Sequence, residues 1–221
     1  MPFLKPSRPT FNKSKIEASQ RKGLRHAVFS PETRRLYKGE WKNDKKEGKG
    51  VRLNRDGWLY EGDLADNKKH GYGVLSKVAE DGSIHKYYAG DWVAGRREGT
   101  GSNWYPGGSY YEGDFRENKR HGYGRIWYKD GGFYQGTWKN DFYDGPGMLV
   151  LSDGNRYEGN FERGKKEGYG IFYHLKSGQA HPGFWKNNSC VSGIMEDTYW
   201  RQSALRATPY PIPKVYNCFG Y

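Results

Sequence analysis

Residues 111–133 read YEGDFRENKRHGYGRIWYKDGGF, and this stretch decides the fold. Tyr111, Gly113 and Phe115 alternate with Glu112 and Asp114. A period of two is that of a β-strand, so tyrosine, glycine and ring share one face and the carboxylates take the other. The ring face is expected to be buried and the carboxylate face solvated. Glycine between two rings leaves room for an aromatic from a neighbouring unit. A polar loop follows, and Gly122 and Gly124 then open a second strand that runs into Ile126 and Trp127. Asp130-Gly131 ends it, and Asp-Gly between strands predicts a two-residue hairpin turn with positive φ.

The same stretch recurs along the chain. Tyr37, Tyr60, Tyr88, Tyr111, Tyr134 and Tyr157 are separated by 23, 28, 23, 23 and 23 residues. Counting each tyrosine as position 0, glycine stands at +2, +11 and +13 in every unit, as in Gly39, Gly48 and Gly50. Position +4 is Trp41, Leu64, Trp92, Phe115, Trp138 and Phe161. A degenerate seventh unit starts at His181 and keeps Gly183 and Trp185. Each unit reads as one β-hairpin. One hairpin cannot bury its rings alone, whereas stacked neighbours can. The expected fold is all-β: an elongated single-layer antiparallel sheet of stacked β-hairpins with short capping segments. Twelve strands at ~4.8 Å spacing predict an array of roughly 58 Å.

Composition agrees. The 221 residues hold 37 aromatics but only 25 of Ile, Leu and Val, with 32 glycines. That balance suits tight turns and flat rings, and it argues against a catalytic α/β domain with a broad aliphatic core. The array occupies 37–195, between a basic N-terminal tail at 1–36 and a C-terminal cap or tail at 196–221. Nine Lys and Arg against two acidic residues give the first tail +7 of the +12 net charge. Glu196–Arg206 is expected to form a short helix, and Pro209–Pro213 an extended segment. The first 30 residues lack an apolar signal core and no apolar run is long enough to span a membrane, so a reduced, cytoplasmic setting is expected. Cys190 and Cys218 form neither a disulfide framework nor a zinc module.

The pattern YxGxW, polar loop, GxG, apolar strand and DG at 23 residues resembles the MORN repeat family (membrane occupation and recognition nexus). The resemblance covers Tyr37 to about Met195, with departures at Leu64, in the five-residue insertion of unit two and in the seventh unit. It implies the hairpin-array fold. Resemblance to short family members without a catalytic domain implies a cilium, flagellum or axoneme setting, or a role in spermatogenesis, with the acrosome as a membrane alternative.

The residues themselves offer little chemistry. Six scattered histidines, no nucleophile motif, no metal-ligand spacing and no phosphate loop leading into a helix predict no enzyme and no cofactor. His70 and His121 occupy +10, read as a tolerant polar loop position. Positions +8 and +9 are more informative: Lys45-Lys46, Lys68-Lys69, Arg96-Arg97, Lys119-Arg120 and Lys165-Lys166. Stacking is expected to align these ten cations along one edge. Such a ridge would receive an acidic protein partner or anionic lipid, or would simply be a solvated edge that blocks sheet-to-sheet aggregation. Unit five breaks the rule with Phe142-Tyr143. Two rings on a charged loop call for a cover, supplied by the C-terminal segment or by a protein partner. The longer hairpin Ser76–Tyr87 is expected to project as a second contact. Nucleic acid is disfavoured, because the aromatics are committed to the sheet and most of the excess charge lies in the tail.

Overall fold

A computed structural model describes residues 20–30 and 35–197. Among them sixteen strands follow in chain order. β1 (Gly23–Ser30) precedes the first full unit. The next units supply β2 (Arg35–Lys42), β3 (Lys45–Leu53), β4 (Trp58–Ala65), β5 (Lys68–Val78), β6 (Ile84–Val93) and β7 (Arg96–Trp104). Then come β8 (Tyr110–Arg116), β9 (Lys119–Trp127), β10 (Phe133–Lys139), β11 (Phe142–Val150), β12 (Arg156–Glu162) and β13 (Lys165–His174). The seventh unit forms β14 (Gln179–Lys186) and β15 (Ser189–Gly193), and β16 (Glu196–Asp197) pairs back onto β14. All belong to one antiparallel sheet in which spatial order is sequence order from β1 to β15.

The tyrosine–glycine relation explains each hairpin. Gly39 pairs with Gly50 across β2 and β3, and the Tyr37 ring lies over that pair. A Cβ on Gly50 would stand 2.5 Å from the Tyr37 hydroxyl, so any side chain there evicts the ring. The register slips by two residues between Gly39 and Trp41, with the extra residues on β3. Opposite this irregularity the Tyr37 hydroxyl donates to the Glu40 carbonyl (2.8 Å). Tyr60, Tyr88, Tyr111, Tyr134 and Tyr157 make the same bond three residues on.

Rings then pack along the array. Tyr88 meets Trp92 of its own unit edge-on at 4.9 Å and Phe115 of the next at 5.2 Å. Tyr111 repeats this with Phe115 and Trp138, and Tyr157 with Phe161 and Trp185. Each edge-to-face pair adds about 0.5–1.5 kcal/mol beyond the buried area. The ladder lacks one ring where Leu64 replaces an aromatic, yet Leu64 is buried like the rest.

The turns differ from expectation at both ends. Asp56-Gly57 does not form a two-residue turn. Asn54 and Trp58 close a three-residue loop, in which the Gly57 amide donates to the Asn54 carbonyl and Gly57 adopts φ 75°. The glycine supplies the left-handed residue that such loops need at their last position. The two-residue turns lie in the segments read as polar loops: Asn43-Asp44 at φ 49° and 62°, and Asn187-Asn188 at 48° and 72°. Positive φ at both central residues matches the right-handed twist of the flanking strands, and Asn and Asp tolerate it.

The basic segment 1–36 is not all tail. Gly23 pairs with Trp41 and Leu24 with Glu40, so β1 is the second strand of a half unit. The expected helix at Glu196–Arg206 begins instead as strand β16, and its remainder lies outside the described residues, as does the Pro209–Pro213 segment. β5 and β6 continue past the last β3–β4 pair, Leu53–Leu59, through Lys77–His85 and Val78–Ile84, the latter one pair beyond Trp58 of β4.

Candidate functional site

The ten cations do not form one ridge. Successive residues of a strand point to opposite faces, so the pairs split into two rows. Position +9 turns onto the ring face. Lys69 lies 3.7 Å from the Trp92 ring, Arg120 4.2 Å from Trp138, and Arg97 5.1 Å from Phe115. Lys166 sits over Tyr157 and Trp185, and Lys46 over Tyr37. Lys69, Arg97, Arg120 and Lys166 therefore clamp the ring of their own unit to that of the next, at about 0.5–2 kcal/mol depending on desolvation, whereas Lys46 has Leu64 in place of a second ring. Burial, with Arg52 and Arg97 nearby, pulls Lys69 down to about 8, and burial also lowers Lys46 and Lys166. The buried tyrosine hydroxyls move upward, Tyr37 and Tyr157 to about 12.

Position +8 faces out. Lys45 pairs with Asp66 at 2.6 Å and Arg96 with Glu117 at 3.2 Å, each one unit along. Lys165 donates to the Asn187 side chain, while Lys68 and Lys119 stand exposed. The outward row thus holds five cations, two of them matched by carboxylates.

Position +10 is a staple rather than a tolerant loop site. Glu47 accepts from the Asp66 amide, Glu98 from Glu117 and Glu167 from Asn187, each in the next turn. Asn67, Asn118 and Asn188 answer from those turns by accepting the amides of Lys46, Arg97 and Lys166. His70 and His121 take +10 without such a bond to the next turn.

Phe142 and Tyr143 are separated by the same alternation. Tyr143 occupies the +9 place on the ring face. It stacks on Tyr134 at 3.7 Å, meets Phe161 at 5.5 Å, and its hydroxyl bonds that of Tyr128. Its cover is therefore the array itself, with a ring standing where other units put a cation. Phe142 projects outward and is 55% exposed.

Two features of the outer face were not read from the sequence. One is a row of exposed aromatics: Tyr72, Tyr123 and Tyr169, all at +12, with Phe184 beside Tyr169. Tyr72 and Tyr123 border a shallow trough of about 440 Å³ whose floor includes Gly90, Gly101, Gly113 and Gly124. The other is a second apolar cluster of Tyr110, Trp127, Phe133 and Val150, with Trp104 and Met148 packed against it. These sit at −1, +14 and +16, where residue type varies from unit to unit, so the period of 23 does not single them out. Among the described residues no three His, Cys, Asp or Glu side chains gather as metal ligands.

A single-layer ladder of tyrosine-over-glycine hairpins defines a repeat array, and the family comparison agrees. The MORN repeat matches residues 37–58, 60–78, 88–110, 111–133, 134–156 and 157–174, and the chain belongs to this family. It is 51% identical over 199 residues to MORN repeat-containing protein 3 of Xenopus laevis, covering 89% of this chain and 83% of that one. A shorter match to the mouse protein of that name is 44% identical over 48 residues, covering 22% of this chain and 20% of the other. Human Alsin is 35% identical over 65 residues, which is 29% of this chain and 4% of Alsin.

Proposed function

We propose that the chain is a non-enzymatic, cytoplasmic protein-interaction scaffold, serving ciliary or flagellar axonemal assemblies or sperm development. The observation that carries the scaffold reading is the outer aromatic row. Tyr72, Tyr123 and Tyr169 are 59%, 48% and 53% exposed on β5, β9 and β13. Four strand spacings separate successive rings, about 19 Å each. Tyrosine is enriched among the residues that anchor protein interfaces. The setting rests on resemblance to short family members. The test is cross-linking and affinity purification from ciliated or testis tissue, with the Tyr72, Tyr123 and Tyr169 to Ser triple variant as control. Axonemal or germ-cell partners that the triple variant loses support the reading. A partner set the triple variant retains contradicts the role given to this row.

A second reading, attachment to anionic lipid as at the acrosome, draws on exposed Lys68, Lys119 and Lys165, which form no ion pair among the described residues. It expects flotation with phosphoinositide vesicles that is lost as salt rises. No flotation at physiological salt removes it.

A further inference from the structure

We infer that residues 198–221 of the same chain pack across the outer-face cluster formed by Tyr110, Trp127, Phe133 and Val150. The first ground is burial. These four side chains are 6%, 8%, 3% and 7% exposed. At the same level of the sheet, Leu36, Leu53, Leu59 and Tyr173 are only half-buried. Register pairing runs Tyr110–Trp127, Trp127–Phe133 and Phe133–Val150, so sheet neighbours cover the flanks of each ring. Flanking residues do not cover the outer end of a side chain standing on a sheet. Among the described residues, strands pack against their sheet partners and none forms a second layer over this face.

The second ground is where the chain leaves the sheet. β16 pairs Glu196 with Ala180. Ala180 precedes the first residue of the seventh unit as Phe133 and Tyr110 precede theirs, so the chain departs level with the cluster. From β14 to β10 is four strand spacings, about 19 Å, and to Trp104 on β7 seven, about 34 Å. Residues 198–221 span about 36 Å as a helix and about 80 Å extended, so either form reaches. They also carry matching side chains, among them Tyr199, Trp200, Leu205, Tyr210 and Phe219. The N-terminal residues are worse placed. Gly23 lies level with Trp41, toward the opposite edge, and β1 is nine spacings from β10, about 43 Å.

Hydrogen exchange on the full chain tests this, with a photo-reactive phenylalanine at Tyr110 as the second arm. Amides within 198–221 are expected to exchange at least 10-fold more slowly than in the isolated peptide. Phe133→Glu or Val150→Glu should remove that protection while β2–β5 keep theirs. The Tyr110 probe should cross-link within the chain to 198–221. Free-peptide exchange in the unaltered chain overturns the inference without any variant. So does a cross-link that joins two copies, or one that maps to residues 1–19.

Discussion

Gly113 shows how much one hydrogen atom decides. A Cβ there would approach the Tyr123 carbonyl oxygen at 2.6 Å and the Tyr111 hydroxyl at 2.7 Å, with Gly124 Cα closer still. Backbone cannot step aside as a side-chain end can. Gly113→Val is therefore expected to destabilise by about 3 kcal/mol or more, the upper end of ordinary overpacking. Glu112 faces the other way and pairs with Arg125 at 3.6 Å in partial exposure, so Glu112→Gln should cost less than about 1 kcal/mol. Urea titrations of both variants check the facing, and equal losses would contradict it. The same residues set a pH profile. A buried tyrosine whose folded value is raised from about 10 to about 12 binds its proton more tightly when folded. That stability is complete below pH 10 and is lost as pH rises from 10 to 12. Lys69 has the opposite sign. Lowered to about 8, it sheds its proton in the folded state first, so stability rises from pH 8 toward 10.5. Melting midpoints should climb slightly above pH 8 and fall above pH 10, and Lys69→Met should flatten the climb.

At the scale of the hairpin, the stacked turns tie units together and tolerate exchange only by rule. Ala94 sits at φ 49°, where other turns carry Asn, Asp, Glu or Arg and the left-handed region costs a residue with Cβ roughly 1–2 kcal/mol. Ala94→Gly is expected to stabilise by about 0.5–1 kcal/mol after glycine's entropy is counted, measured as a higher urea midpoint. Tyr143 makes a matching case. Tyr143→Arg restores the regular +9 clamp over Tyr134 and Phe161, so the variant should stay folded with a loss near 1 kcal/mol from the forfeited stacking. Phe142→Lys should leave the melting midpoint unchanged, because that ring faces solvent. A collapse of the fold in Tyr143→Arg would show that the ring and the cation are not interchangeable there.

For the whole molecule, the period of 23 and the alternation of Tyr111, Gly113 and Phe115 made the stacked-hairpin sheet legible in the sequence. Placement of the cations was not, because the two-residue turn Asp66-Asn67 sets the parity at which Lys68 points out and Lys69 points in. β1 escaped for lack of a tyrosine. Its half unit keeps Arg21, over Trp41 and bonded to Asp44 of the next turn, and Gly23 at φ 69°. The apolar cluster on the outer face escaped because Tyr110 and Trp127 are neighbours through pairing, not through sequence. The architecture fixes the molecule's shape: fourteen spacings from β1 to β15 make a sheet about 67 Å long. Small-angle scattering from the full chain tests that most directly. The pair-distance distribution should peak early and trail to about 70 Å, with a radius of gyration clearly above the ~17 Å of a compact 221-residue domain. A symmetric distribution ending near about 50 Å, with a radius near 17 Å, would contradict a single open sheet of stacked hairpins.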